Sequence, residues 1–342
     1  MSQIVDRNGK PGLDAEASVA PVSLNAIYLP VAGSLKQVES ILLDELSGDT
    51  PWVDELLAHS RIVGGKRMRP VFLLLCGACC GTLGDQHLQM AAALEMIHTA
   101  SLIHDDVLDN AQTRRHGPTA NSKWDNRISV LLGDYLFTHS FHVASRTGSP
   151  EALRMLAESS NRVCAGEMRQ NAHVGNFEIT EEQYLEIVSD KTAELVAGGC
   201  GLGALLSDAD QETVDSFESF GRDLGIAFQI IDDVLDLVGT SDKVGKTLGT
   251  DIANHKPTLP VIHALASMEG VQRDGLLSLL TTDNPQIEQI VSILNEAGSI
   301  EYAREIARKH AERAIAFADG LESNEYSRAL RTAARFVLGR GH

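Results

Sequence analysis

Twice in 342 residues the chain spells DDVLD, at Asp105–Asp109 and again at Asp232–Asp236. Both copies sit in apolar surroundings. Leu102, Ile103, Val107 and Leu108 flank the first, and Phe228, Ile230, Ile231, Val234, Leu235 and Leu237 the second. On a helix, residues i and i+4 share a face, so Asp105 stands beside Asp109 and Asp232 beside Asp236. Asp106 and Asp233 are turned by about 100° and reach only the margin of that face. Like charges so spaced cost a few tenths of a kcal/mol, and carboxylates set into an apolar helix need compensation. One such motif reads as a solvated acidic stripe. Two identical ones, each inside an apolar helix, read as hard-cation binding. Mg²⁺ takes oxygen ligands, keeps several waters and typically bridges one or two carboxylates to substrate phosphates. Two facing Asp pairs can hold a diphosphate between them through such ions.

The remaining pattern is helical. VFLLLCGACC (71–80) followed by Gly81 predicts a buried helix stopped by a glycine, and 90–109 one long helix ending in acids. HGPTAN (116–121) has a loop signature, and 128–145 is apolar nearly all round, hence central. Further helices are expected at 150–172, 181–206, 211–238, 257–268, 286–297 and 300–339, with no convincing alternating strand. Aromatic residues are only 5% against 43% hydrophobic overall, which suits an aliphatic helical core. Residues 1–24 are polar and weakly patterned, and are expected to be a disordered arm. No low-complexity linker interrupts 25–342, so that stretch reads as one domain although its length alone suggests two.

The net charge of −18 disfavours nucleic acid and anionic lipid as partners. Five cysteines, Cys76, Cys79, Cys80, Cys164 and Cys200, show no disulfide framework, and Cys76-x-x-Cys79 lacks a second ligand pair for zinc. No stretch approaches the roughly 20 apolar residues of a membrane span, and MSQIVDRNGK lacks a signal core. A cytoplasmic protein without an integral membrane segment is expected.

Against the acidic background, cations cluster. Gly64–Pro70 carries Lys66, Arg67 and Arg69; Arg114 and Arg115 follow the first acidic motif; Lys191 and Thr192 begin a helical stretch. Lys243, Lys246 and Lys256 lie in or just after the Gly-rich stretch 239–257. Arginine suits bidentate phosphate contact and lysine point-charge neutralisation. Acid beside base, repeated twice, suits a metal–diphosphate complex.

With those residues in place, the chain resembles the trans-isoprenyl diphosphate synthases, the polyprenyl synthetase family, from about residue 30 onward. Seven stretches carry the likeness in order: GGKRMRP (64–70), HTASLIHDDVLD (98–109), the Arg pair at 114–115, GDYLF (133–137), KTAEL (191–195), FQIIDDVLD (228–236) and GKTLGTD (245–251). The resemblance implies an all-α, single-domain antiparallel helical bundle around a deep central cavity, working as a homodimer. It implies about three Mg²⁺ ions per active site, held by Asp105, Asp109 and Asp232, with Asp106 and Asp236 as further or water-mediated contacts. It implies that Lys66, Arg69, His98 and Arg115 hold the diphosphate of isopentenyl diphosphate. Arg114, Lys191 and Lys256, with Lys246 nearby, would hold the allylic diphosphate, and Thr192 and Gln229 would line the reacting carbons beside Lys191. GKTLGTD departs in spacing from some relatives, which leaves the partners of Lys246 and Asp251 open.

The implied reaction is Mg²⁺-assisted ionisation of the allylic diphosphate, attack by isopentenyl diphosphate and loss of a proton. Below Asp105 on its helix lie Ser101 and Ala100, where relatives with short products carry a bulky aromatic. Small residues there imply a trans-polyprenyl product of C30 to C50, with Phe137 and Phe141 as a deeper floor. The alternatives are a farnesyl- or geranylgeranyl-length synthase, a non-catalytic subunit of a heteromeric synthase, and a terpene cyclase. A non-catalytic subunit is expected to have lost motif residues, and this chain keeps them; the second DDVLD and GGKRMRP argue against a cyclase.

Overall fold

The computed structural model describes residues 24–63, 65–114, 117–239, 249–282 and 284–339. The described chain is all-α. A short first helix α1 (Leu24–Tyr28) leads through a 3₁₀ turn into α2 (Ala32–Glu45), α3 (Pro51–Val63), α4 (Met68–Cys80) and α5 (Asp85–Leu108). Then come α6 (Ala120–Lys123), α7 (Asn126–Ser145), α8 (Pro150–Ala172), α9 (Glu181–Val188), α10 (Glu194–Leu205) and α11 (Gln211–Val238). The last are α12 (Thr250–Ala253), α13 (Leu259–Ser267), α14 (Gly270–Leu280), α15 (Ile287–Glu296), α16 (Ser299–Gly320) and α17 (Glu325–Gly339). Among the described residues the only paired strands are Thr113–Arg114 and Gly117–Pro118, a two-residue antiparallel pair of which only the second strand falls within the expected loop.

Local signals set the ends. Asp125 Oδ1 accepts the Ile128 N–H at 2.8 Å to start α7, Ser149 caps α8, and Asp210 caps α11. Thr180 and Gln183 form a reciprocal capping box at α9. Gly81 follows α4 in extended conformation, as expected. The stretch 300–339 is two helices rather than one. Leu321 leaves α16 extended, and Asn324 and Ser327 cap α17 through Asn324 Oδ1 on Ser327 N–H at 2.8 Å. Local polar pairing outcompetes a continuous helix there. Helix α14, in the stretch 269–285 between two expected helices, was not anticipated.

Helix α5 is the axis, not the stretch 128–145: α7 leaves Val130, Leu131 and Tyr135 exposed, because its apolar residues cover more of its circumference than its neighbours bury. Met90, Ala91, Ala92, Ala93, Leu94, Met96 and Ile97 are buried on every side of α5, which is the pattern of a helix surrounded by others. It packs against α7, α4 and α2, while α10 packs between α4 and α11. The small residues of α10 allow this. A Cβ on Gly203 would lie 2.2 Å from the Leu73 carbonyl oxygen of α4. One apolar cluster runs from Ile27 to Val337. Among the described residues, no helix is long and apolar enough to cross a membrane. All five cysteines are free.

Candidate active site at the two acidic pentapeptides

The first pentapeptide closes α5. Asp105 is half-buried, and burial pushes its carboxyl up to about 6 against the opposing pull of Lys191. Asp106 turns inward and is only 2% exposed. Arg114 grips its Oδ1 through Nε at 2.9 Å and Nη2 at 2.8 Å. The backbone makes this possible: Ala111 N–H bonds the Asp106 carbonyl, and the small hairpin carries Arg114 back over the helix end. Asp106 and Arg114, expected as a cation contact and a diphosphate ligand, are thus each other's partners in this structure. Asp109 follows the last turn, and Lys256 Nζ reaches its Oδ1 at 2.7 Å.

The second pentapeptide lies in the last turns of α11. Asp232 is partly exposed. Asp233 is buried, and receives the Tyr184 hydroxyl on Oδ2 at 2.6 Å and Gln229 Nε2 on Oδ1 at 2.7 Å. Burial, with Asp251 close by, raises its pKa well above the ordinary carboxylate range. Asp236 is committed to backbone. Its Oδ2 accepts the Asp251 N–H at 3.0 Å, and its carbonyl accepts the Gly249 N–H at 2.7 Å, with Gly249 at φ 72°. The chain then runs through α12 to Lys256, whose N–H bonds the Asp251 carbonyl at 2.8 Å. Asp236, Asp251, Lys256 and Asp109 form a continuous tie that brings both pentapeptides to one end of the bundle.

A π-helical segment, Ser189–Ala193, interrupts the expected helix 181–206 and forms a third wall. Such segments are rare and concentrate at functional sites. It carries Lys191, whose Nζ donates to Gln170 Oε1 at 2.7 Å and pairs with Glu167. Burial lowers the pKa of Lys191, but Asp105 and Glu167 more than offset this and hold it above the ordinary lysine value. Gly166 of α8 permits the approach, because a Cβ there would lie 2.5 Å from Lys191 N. Thr192 Oγ1 donates to Gln229 Oε1 at 3.0 Å.

On the α4 side, Arg67 adopts a left-handed backbone (φ 53°) and pairs with buried Glu95 at 2.9 Å. Arg69 Nη1 meets His98 Nε2 at 2.9 Å, so His98 is not an isolated core histidine. Arg69 Nε is buried without a hydrogen-bond partner among the described residues, and burial lowers its pKa. Lys66 is exposed, and its carbonyl accepts the Tyr28 hydroxyl at 2.5 Å. Arg115 and Lys246 lie outside the described residues. Beneath Asp105, Ala100 is fully buried whereas Ser101 is partly open, so of these two only Ser101 presents accessible surface. Phe137 and Phe141 stack edge to face at 5.4 Å.

Glu95, Glu167, Gln170 and Tyr184 were not singled out from sequence, since each lies outside the quoted motifs. Asp233 carried a signal, its place inside a duplicated pentapeptide.

The donor set is carboxylate oxygen, which fits a hard divalent cation. Among the described residues no three acidic, His or Cys side chains are already gathered into a chelating group.

Comparison with known proteins agrees with this arrangement. The polyprenyl synthetase family model matches residues 50–297. Octaprenyl diphosphate synthase of Escherichia coli (strain K12) is 33% identical over 321 residues, covering 93% of this chain and 99% of that protein. All-trans-nonaprenyl-diphosphate synthase (geranyl-diphosphate specific) of Rhodobacter capsulatus is 34% identical, covering 92% and 97%. The crystal structure of a decaprenyl diphosphate synthase from Rhodobacter capsulatus superposes with a TM-score of 0.87 at 33% identity, covering 93% and 99%. The chain belongs to the polyprenyl synthetase family.

Proposed function

We propose that this chain is a prenyltransferase that condenses isopentenyl diphosphate with an allylic diphosphate to give a trans-polyprenyl diphosphate of C30 to C50. The observation that carries this reading is the tie from Asp236 through Asp251 and Lys256 to Asp109, which sets two acidic pentapeptides around one space lined by Lys191. Asp105, Asp109 and Asp232 would hold Mg²⁺, with Asp106 and Asp236 supporting them. When bound, Mg²⁺ supplies neutralisation of the charge that develops on the leaving diphosphate.

Lys191 and Lys256 rest on carboxylates and can exchange these for phosphate oxygens when substrate arrives. Arg114 can do the same from Asp106 once a cation competes for the acids, and Lys246 would assist. Arg69, with its buried unpartnered Nε, Lys66, His98 and Arg115 would hold the second diphosphate. Thr192 and Gln229 would face the reacting carbons. The proton lost in the last step goes to the departed diphosphate. Apolar walls keep out water that would quench the cation.

Product length depends on the α5 face below Asp105, open at Ser101, with Phe137 and Phe141 as the floor. Ser101→Phe should shorten the product by several isoprene units, each about 5 Å or one helical turn. An unchanged product spectrum would reject this account. Residues 25–342 act as one domain beyond an N-terminal arm, in the cytoplasm. The chain works as a homodimer, for which exposed Val130, Leu131 and Tyr135 on α7 offer a face. Purified protein given Mg²⁺, isopentenyl diphosphate and each allylic primer in turn should yield C30 to C50 diphosphates. Products no longer than C20 would reassign it to the short-chain class, and no elongation would overturn the reading.

A further inference from the structure

Tyr184 on α9 is 4% exposed, and its hydroxyl donates to Asp233 Oδ2 at 2.6 Å. Asp233 Oδ1 receives Gln229 Nε2 at 2.7 Å, and Gln229 Oε1 receives the Thr192 hydroxyl at 3.0 Å. Three hydrogen bonds therefore run in series from α9 through α11 to the π segment. The series has a direction. Both Asp233 oxygens accept in this structure, and a primary amide donates from nitrogen and accepts at oxygen. With the Tyr184 hydroxyl held on Oδ2, Asp233 presents Oδ1 to Gln229 Nε2, which leaves the amide Oε1 for Thr192. The single hydroxyl hydrogen of Thr192 is then engaged with Gln229, and its oxygen lone pairs are what remain to face elsewhere. With the amide reversed, Nε2 would donate to Thr192, and the hydroxyl hydrogen would be released toward the open side. The two arrangements present opposite ends of one O–H dipole to a developing allylic cation.

We propose that Tyr184 is a positioning residue: through Asp233 it holds the Gln229 amide in the orientation that makes Thr192 an electron-rich neighbour of the reacting carbon. This rests on the prenyl-transfer reading above. Tyr184 acts at two removes from the substrate, so its effect falls on turnover rather than on diphosphate binding.

Steady-state kinetics of Tyr184→Phe, Gln229→Leu and the double variant test it. Tyr184→Phe keeps the buried ring and should lower kcat about tenfold while both KM values stay within about twofold. In the Gln229→Leu background the same change should alter kcat by less than about twofold, because the amide it orients is gone. Asp233→Asn should lower kcat at least as far as Tyr184→Phe. With its oxygen accepting from Tyr184 as Oδ2 does now, its nitrogen donates to Gln229 Oε1 and reverses that amide. Wild-type kcat in Tyr184→Phe, a KM rise in place of the kcat loss, or an undiminished tenfold loss in the double variant would overturn the proposal. Should Tyr184→Phe fail to fold by thermal melting, Asp233→Asn with and without Gln229→Leu carries the same comparison. Wild-type protein that elongates no primer sinks the functional reading and this inference with it. Active wild type with normal Tyr184→Phe sinks this inference alone.

Discussion

The two copies of DDVLD are identical in sequence and differ in what their middle and last acids meet. In the first, the middle acid meets an arginine, Arg114, and the last acid meets a lysine, Lys256. In the second, the middle acid meets a tyrosine and an amide, Tyr184 and Gln229, and the last acid meets the backbone of Asp251. The middle and last acids of the first copy are balanced by charge, and the middle acid of the second by neutral donors. Charge-paired acids can trade partners when a cation and a diphosphate arrive. Acids held by tyrosine, amide and backbone are better suited to staying in place. The comparison suggests a pliable copy at the end of α5 facing a rigid copy on α11.

Removal of the leading acids should have the largest effect. Asp105→Ala and Asp232→Ala should each lower kcat by roughly three orders of magnitude or more with the fold intact, as loss of metal-assisted charge neutralisation predicts. Near-normal turnover in either would break the assignment of both copies to one cation site. Next come the middle acids, where the copies should part. Asp106→Asn removes an acid that supports the cation and the tether that places Arg114, and should raise the KM of the allylic substrate by about tenfold, the scale of one charge-assisted hydrogen bond, whereas Asp233→Asn should act on kcat. Equal effects on the same parameter would erase the contrast.

Lys256→Met removes the link between the copies. It should raise the allylic KM by about threefold to tenfold and cost under about 1 kcal/mol of stability, because the pair is partly exposed. Chemical denaturation alongside kinetics separates the two. The smallest effect concerns pH. Asp105 sits at about 6 when folded, above the roughly 3.9 of an unfolded aspartate. Between those values the folded state holds the extra proton, so this contribution is fully present below about pH 4 and is lost as pH rises through about 6. Asp105→Asn should then raise the Tm of the metal-free protein at pH 7.5 by about 2–4 °C, and by less at pH 4.5. A larger gain at the acid end would contradict the burial-driven shift.

Much of this site was legible without coordinates, for a physical reason. Metal–diphosphate chemistry needs several acids and bases at helical spacing, and local spacing is written in sequence. Asp105 beside Asp109, and Asp232 beside Asp236, follow from helix period alone. Helix α4 ending at Gly81 was legible for the same local reason, whereas the break at 321–324 depends on the Asn324–Ser327 cap overriding a periodic pattern. The π segment was illegible because nothing in SDKTA forbids an ordinary α turn; close packing of Gly166 on α8 accompanies it.

The sequence by itself determined the all-α class and the duplicated acids, since periodicity and composition are local properties, whereas the central place it gave to 128–145 belongs to α5. Only the tertiary structure decided what each acid meets. Partners such as Tyr184 for Asp233, or Lys256 for Asp109, lie 49 and 147 residues away along the chain. In both copies the middle residue points off the i, i+4 face, but its partner depends on which helix the fold lays alongside it. Identical pentapeptides carry no information about that difference, because burial and charge neighbours are properties of the packed molecule.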